Sequence, residues 1–449
     1  MIFNFIFPFS DFLYILQQEE YSSQRYWKWL GRFFFRRGIQ KRGRLKYTPR
    51  TKITLCFVIF VWLIAIILTF LLFKTGILLP SLLIIAWIIT IPLFVLIGNF
   101  ILNPLFVVAK RRVVKKASDK IARYKNLKVI AVAGSFGKTT TKNFIYELIR
   151  YNYKTQLIPE NINTTLGIAN WVNIFAYPTA EVLIVEMDAY QRGEIKESCS
   201  ITPPDIAIIT NIGDQHLERF SQKKELAQTL GEVFTYSKPS AQLLCDSNAA
   251  KELPVKEKYN LTSVGFDNLK ILTAHPNILA RFSSSNLINL AFAMKTAELL
   301  GISDEFIIDT CRKLEPPDRR QKMVVLHNYD CVDDSYNISF TTARAGILFA
   351  KNAAVLKKKK LLVVTAGIPE LGPKDQDKNE ALGKILAEKA DHVALLKSIF
   401  FQEIAKGISD EKKYTAFKNL QEFLEESKEL FPPEEWLILL QPELTDLYY

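Results

Sequence analysis

Histidine and methionine are scarce in this chain, with four of each among 449 residues, and the five cysteines (Cys56, Cys199, Cys245, Cys311, Cys331) never fall into a CxxC spacing. That pattern excludes a disulfide framework and a cysteine-based zinc site, and it fits a reducing compartment. Acids are missing from residues 25–52, which hold eleven Lys/Arg, and nearly so from 110–128, which hold nine Lys/Arg and Asp119 alone. These two runs exceed the net charge of +12, so the remainder of the chain is net acidic. A groove that binds nucleic acid needs positive charge spread over a folded face, and no nucleic-acid partner is expected.

Charge is also absent from Ile53 to Phe73 and again from Ile77 to Ala109, on either side of Lys74-Thr75-Gly76. The first stretch of 21 residues suffices for a helix across a hydrocarbon core about 30 Å thick. Pro80, Pro92 and Pro104 predict kinks in the second. The two basic runs bracket this hairpin. The positive-inside rule therefore places both ends, and the body that follows, on the cytoplasmic side of the cytoplasmic membrane, with membrane lipids as partners. Residues 1–16 are apolar but short, and 17–37 mix aromatics with basic residues. A membrane-surface helix and a plain core helix are both open for them. The expected organisation is a basic, amphipathic region (1–52), a transmembrane hairpin (53–109), a basic linker (110–126) and two globular domains (127–314 and 315–449).

From Leu127 the texture becomes short apolar runs alternating with helix-length segments. Val129–Val132, Val182–Val185 and Ile206–Ile209 read as buried parallel strands, and Lys138–Arg150 as a helix. A second alternating block contains strands at Leu361–Val364 and Trp436–Leu440, with helices at about 340–356, 376–390 and 417–430. Glu315-Pro316-Pro317 marks the junction. The fold class is α/β: a P-loop domain with a mostly parallel sheet and a Rossmann-like C-terminal domain, preceded by the helical hairpin.

The strongest chemical signal is strand, then Gly134-Ser135-Phe136-Gly137-Lys138-Thr139-Thr140, then helix. Glycines let consecutive N–H groups face phosphate oxygens, and the helix N-terminus adds positive potential. Lys138 suits the β/γ-phosphates, and the Thr139 hydroxyl suits Mg²⁺. Val132 stands where the general GxxxxGK[ST] pattern has its first glycine.

The shorter GxxGKTT form resembles the Mur ligases, which join amino acids or peptides to cell-wall precursors, and within them the dipeptide-adding branch. Five further segments follow in that branch's order. Glu160–Gly167 is similar to its GNxNNxxG segment, Glu186–Ala189 with Arg192–Ile195 to ExGA…GEI, and Thr210–Leu217 to TNIGxxHL. Asp333-Asp334-Ser335-Tyr336-Asn337 matches DDSYN, and Ala366–Gly372 resembles an ELG loop. The resemblance covers about residues 127–449. It implies ATP and Mg²⁺ as cofactors, with Lys138, Glu186 and His216 catalytic and Thr139, Glu186 and His216 on the metal. Gly134, Gly137, Thr140, Asn289, Arg320 (or Arg319) and Asp334 would join Lys138 and Thr139 in holding the nucleotide. Asn161, Asn163, Thr164, Ser335, Tyr336 and Asn337 would face the substrates. Plainer roles stand beside these: a core or capping histidine for His216, a solvated linker for the arginines, and a helix N-cap for Asp334.

The implied reaction is phosphorylation of a substrate carboxylate by ATP, then attack of an amine on the acyl phosphate. The implied partners are a peptidoglycan precursor, with a lipid-linked form among the candidates, and an amino acid or dipeptide; oligomeric state is not legible. Three departures qualify this. Membrane segments stand where the family carries a UDP-holding domain. Leu230 replaces the lysine that several members carbamylate. Ser285 replaces the histidine of the HNxxN pattern. A membrane-associated ligase of another polymer, resembling the poly-γ-glutamate synthetases, and an inactive nucleotide-binding scaffold remain as alternatives.

Overall fold

The computed structural model describes residues 9–19, 21–33, 45–72, 86, 89–160, 162–213, 220, 222–253, 259–336, 338–369, 371 and 374–442. The chain divides into two compact units, 1–112 and 113–449.

In the first unit four helices are described: α1 (Phe9–Gln18), α2 (Ser23–Phe33), α3 (Pro49–Leu72) and α4 (Ile91–Ala122), the last continuing into the second unit. Leu13, Tyr14 and Leu16 of α1 and Tyr26 and Leu30 of α2 are buried with Val58, Trp62, Ile91 and Val95. The polar Asn99 donates to the Tyr21 carbonyl at 2.9 Å and accepts from Arg50 at 3.1 Å, so its amide is satisfied within an otherwise apolar helix. Elsewhere α3 and α4 are apolar on the outside: Phe60, Ile67, Leu71, Phe100 and Leu105 are all more than half exposed. Both helices are long and apolar enough to cross a membrane. The connector Lys74-Thr75-Gly76 and Pro80 lie outside the described residues.

The second unit opens on the end of α4. The stretch expected to be a linker is helical as far as Ala122, because Val114, Ala117 and Ile121 recur at helical spacing and bury against the first sheet. That sheet is six-stranded and parallel, in the order β2-β3-β1-β4-β5-β6. Its strands are β1 (Lys128–Ala133), β2 (Thr155–Leu157), β3 (Val182–Glu186), β4 (Ile206–Ile209), β5 (Gln242–Asp246) and β6 (Leu261–Val264). Successive β1 residues feed opposite cores: Val129, Ala131 and Ala133 one face, Ile130 and Val132 the other. Two covered faces explain the unbroken apolar runs. Helices α5 (Lys138–Ile149), α6 (Thr165–Phe175) and α7 (Ser284–Leu299) belong to these layers.

The second sheet has the order β11-β10-β9-β12-β8-β7 and is parallel except for the β7–β8 hairpin. It comprises β7 (Lys322–Leu326), β8 (Tyr329–Asp333), β9 (Lys360–Thr365), β10 (His392–Leu396), β11 (Tyr414–Phe417) and β12 (Trp436–Gln441). His327 and Asn328, with φ of 50° and 74°, form its two-residue turn, the left-handed pair that a tight hairpin demands. Three of its helices are α8 (Phe340–Leu356), α9 (Asp375–Lys389) and α10 (Phe401–Ile408). Gly383 and Gly407 let α9 and α10 touch backbone to backbone. A Cβ on Gly407 would lie 2.1 Å from the Glu380 carbonyl oxygen.

Candidate active site

The phosphate-loop sequence sits where β1 ends and α5 begins. Gly134 (φ 141°) and Gly137 (φ 80°) adopt backbone angles that side chains disfavour. Space is closed to them as well: a Cβ on Gly134 would meet Thr210 Oγ1 at 2.2 Å, and one on Gly137 would meet Asn289 Oδ1 at 2.4 Å. The Thr210 hydroxyl fixes the loop by donating to the Phe136 carbonyl at 2.6 Å, and Ser135 Oγ accepts from Gly213 N at 3.0 Å.

Lys138 folds back over the loop. Its Nζ donates to the Gly134 carbonyl at 2.6 Å and lies 3.5 Å from Asp188 Oδ2. Thr139 Oγ1 donates to Glu186 Oε2 at 2.9 Å, while Asn163 Nδ2 reaches Glu186 Oε1 at 3.4 Å. Glu186 ends β3 beside β1, so parallel pairing sets the carboxylate next to the loop. Lys142, one turn into α5, is fully buried, 3.4 Å from Glu186 Oε2, and donates to the Ile158 carbonyl at 2.9 Å. Burial holds its ammonium below the usual lysine range, and Glu186 opposes that shift.

Asn289 lies in the second turn of α7, six residues after its N-cap Ser283. Its Oδ1 accepts from Thr141 Oγ1 at 3.2 Å, under the loop. From the second sheet come Arg320, whose guanidinium lies 4.2 Å from the Tyr336 ring centre, and Asp334. Asp334 is not an N-cap, since Ser339 caps α8. Instead Gln441 and Gln321 donate to Asp334 Oδ2 at 2.9 and 3.2 Å. Burial pushes this carboxyl up to about 7 against the pull of those two amides and of Arg320. Gln321 also accepts from Ser283 and Ser285, joining α7 to the second sheet's layer.

Lys138, Thr139, Thr140, Gly137, Asn163, Glu186, Asn289, Arg320, Asp334 and Tyr336 thus line one cleft of about 320 Å³. Not every expected residue is in it. Thr164 caps α6, its hydroxyl accepting from Gly167 N at 3.3 Å, and Ser335 is held by Arg319 at 2.9 Å. Asn161, His216 and Asn337 lie outside the described residues. Asp188, Lys142 and Gln321 escaped the sequence reading: a buried ion pair or relay leaves no motif of its own. Leu230, where a lysine was expected by analogy, is buried in the apolar core at the end of the helix Lys223–Leu230.

Residues 132–300 match the family model of the Mur ligase middle domain. That segment carries a Mur ligase middle domain. The chain is 23% identical over 357 residues to UDP-N-acetylmuramoyl-tripeptide--D-alanyl-D-alanine ligase of Rickettsia prowazekii (strain Madrid E), covering 72% of this chain and 78% of that one. With the ligase of the same name from Bacillus subtilis (strain 168) it shares 24% identity, covering 59% of this chain and 62% of the relative, under two thirds of its length. The MurF ligase from Thermotoga maritima, solved in complex with ADP, superposes with a TM-score of 0.63 at 21% identity, covering 74% of this chain and 80% of that one. This Mur-type fold accounts for the motif order, and it puts the sequence-predicted phosphate loop in a cleft between two α/β layers.

Proposed function

We propose that the chain is an ATP-dependent amide ligase that extends a peptidoglycan precursor with an amino acid or dipeptide through an acyl phosphate. The observation that carries this is the convergence on one cleft of the phosphate loop, Glu186, Asn163, Arg320 and Asp334. The two relatives by sequence are named for joining D-alanyl-D-alanine to a UDP-muramoyl tripeptide. Anchoring in the cytoplasmic membrane, with the second unit in the cytoplasm, is supported by the exposed apolar faces of α3 and α4 and by the flanking basic runs.

The donor set fits a nucleotide with Mg²⁺. Arg320 Nε is buried without a hydrogen-bond partner, an orphan donor that a phosphate or ribose oxygen would satisfy. Thr139 and Glu186 offer hard oxygens, and the described residues contain no ready-made cluster of three His/Cys/Asp/Glu. One carboxylate and one hydroxyl suit Mg²⁺, which takes its other ligands from water and phosphates. When bound, that ion would neutralise charge on the phosphates.

The rest falls to the chain's own groups. Successive loop N–H groups and Lys138 hold the triphosphate, Lys138 exchanging its carbonyl partners for phosphate oxygens. Arg320 and Asp334, from the second sheet's layer, would hold the nucleotide from the opposite wall. Asn163 and Tyr336 at the cleft edge would orient the carboxylate and amine, converting a bimolecular encounter into a positioned attack.

The test is ADP release in detergent with D-alanyl-D-alanine as amine and UDP-linked tripeptide, lipid-linked tripeptide or glutamate as carboxylate. Turnover with either tripeptide is expected. Turnover with glutamate alone would move the enzyme to another polymer. Nucleotide binding without any turnover would leave a scaffold, the second reading, which Leu230 favours because no carbamate can form on it.

A further inference from the structure

The C-terminal end of α6 presents apolar side chains to solvent where the second unit begins. Ile174 is 70% exposed and Phe175 57%, and Tyr177 follows at 42%. Their backbone is tightly held. Asn173 Nδ2 donates to the Val113 carbonyl at 3.1 Å, Lys120 Nζ to the carbonyls of Val172 and Asn173 at 2.9 and 3.1 Å, and Tyr124 to that of Ala176 at 3.2 Å. Gln156 donates to the Phe175 carbonyl at 3.0 Å, and Trp171 packs inward. A corner this well tied, with Ile174 and Phe175 still facing outward, is built to be covered.

What covers it follows from the chain beside it. Val113 comes four residues after Ala109, the last residue of the charge-free run, in the same helix. At about 1.5 Å per residue that is roughly 6 Å, within the thickness of the headgroup layer. Arg111, Arg112, Lys115 and Lys116 are exposed in that stretch, and Asp119 is its one acid. Cations beside an apolar wedge are the complement of an anionic bilayer surface. We propose that the Ile174–Phe175 corner docks on the anionic membrane surface, with the side chains inserted at headgroup level and the adjacent lysines and arginines on lipid phosphates. This rests on the membrane-anchored reading above.

The experiment uses the full chain in vesicles containing phosphatidylglycerol and spin-labelled lipids, with an environment-sensitive fluorophore on single cysteines. The native Cys56, exposed on α3, reports insertion itself. Cys199, Cys245 and Cys311 are buried with thiols pushed up to about 12, and Cys331 is buried with its thiol also raised, so none of the four reacts. Phe175→Cys and Ile174→Cys in a Cys56→Ser background report docking, and Leu356→Cys, a site 82% exposed at the end of α8, is the control. At both corner positions, quenching by headgroup-level labels should exceed that at 356 by threefold or more. It should fall by half or more with Lys115→Glu/Lys116→Glu. Quenching at Cys56 with corner probes no different from 356 would overturn docking while leaving the anchor intact. An unquenched Cys56 would overturn the anchor, and docking with it.

Discussion

Lys138 and Asp334 face the same cleft from different layers, and each carries its own prediction. The Lys138 ammonium rests on the Gly134 and Ser135 carbonyls at 2.6 and 3.3 Å, beside Asp188 at 3.5 Å, and a phosphate can take the place of the two carbonyls. Lys138→Ala should lower ATP turnover by 100-fold or more, and by leaving Asp188 buried without its cation it should also lower the urea midpoint; full residual activity would remove the phosphate loop from the chemistry. Asp334 makes a pH prediction. Its carboxyl titrates near 7 in the folded chain and near 4 when unfolded. Between those values the native state keeps a proton that the unfolded state has lost, so this group's contribution to stability is complete below pH 4 and is lost as pH rises to 7. Asp334→Asn should flatten the decline of the urea midpoint across that window, and parallel curves for the two proteins would refute the shift.

At the scale of elements, the site depends on how strands and helices abut. Parallel pairing of β1 with β3 puts Glu186 beside Val132, one turn of loop from Thr139, and no motif in either strand states that partnership. The α9–α10 contact is tighter still: a Cβ on Gly383 would lie 2.3 Å from the Ile404 carbonyl oxygen. Gly383→Ala should therefore destabilise the second sheet's layer by about 1–3 kcal/mol, read as a drop in urea midpoint, even though alanine is the better helix former. No loss would mean that the two helices separate without cost.

For the whole molecule, composition speaks most about location. The two apolar helices and the basic runs around them predict that a reporter fused after Tyr449 is cytoplasmic, and an externally active fusion would contradict the hairpin. The fold was legible because covered parallel strands must be apolar throughout: Ile206–Ile209 appears as read, and Val182–Val185 gains only Glu186. The phosphate loop was legible because its glycines answer a local backbone demand at Gly134 and Gly137. In residues 110–122, expected as a basic linker, the lysines and arginines dominate the sequence while the Val114–Ala117–Ile121 stripe buries against the sheet.

The chain alone therefore determined what depends on neighbours in sequence: strand and helix periods, the loop, the charge-free spans and the basic runs. Tertiary structure decided what depends on distant residues meeting. It put Lys142 against Glu186, spread Gln321 between Ser283 and Asp334, raised the Asp334 carboxyl by desolvation, and sent Leu230 into the core. Burial and pairing between segments distant in sequence are properties of packing, and no local pattern encodes them.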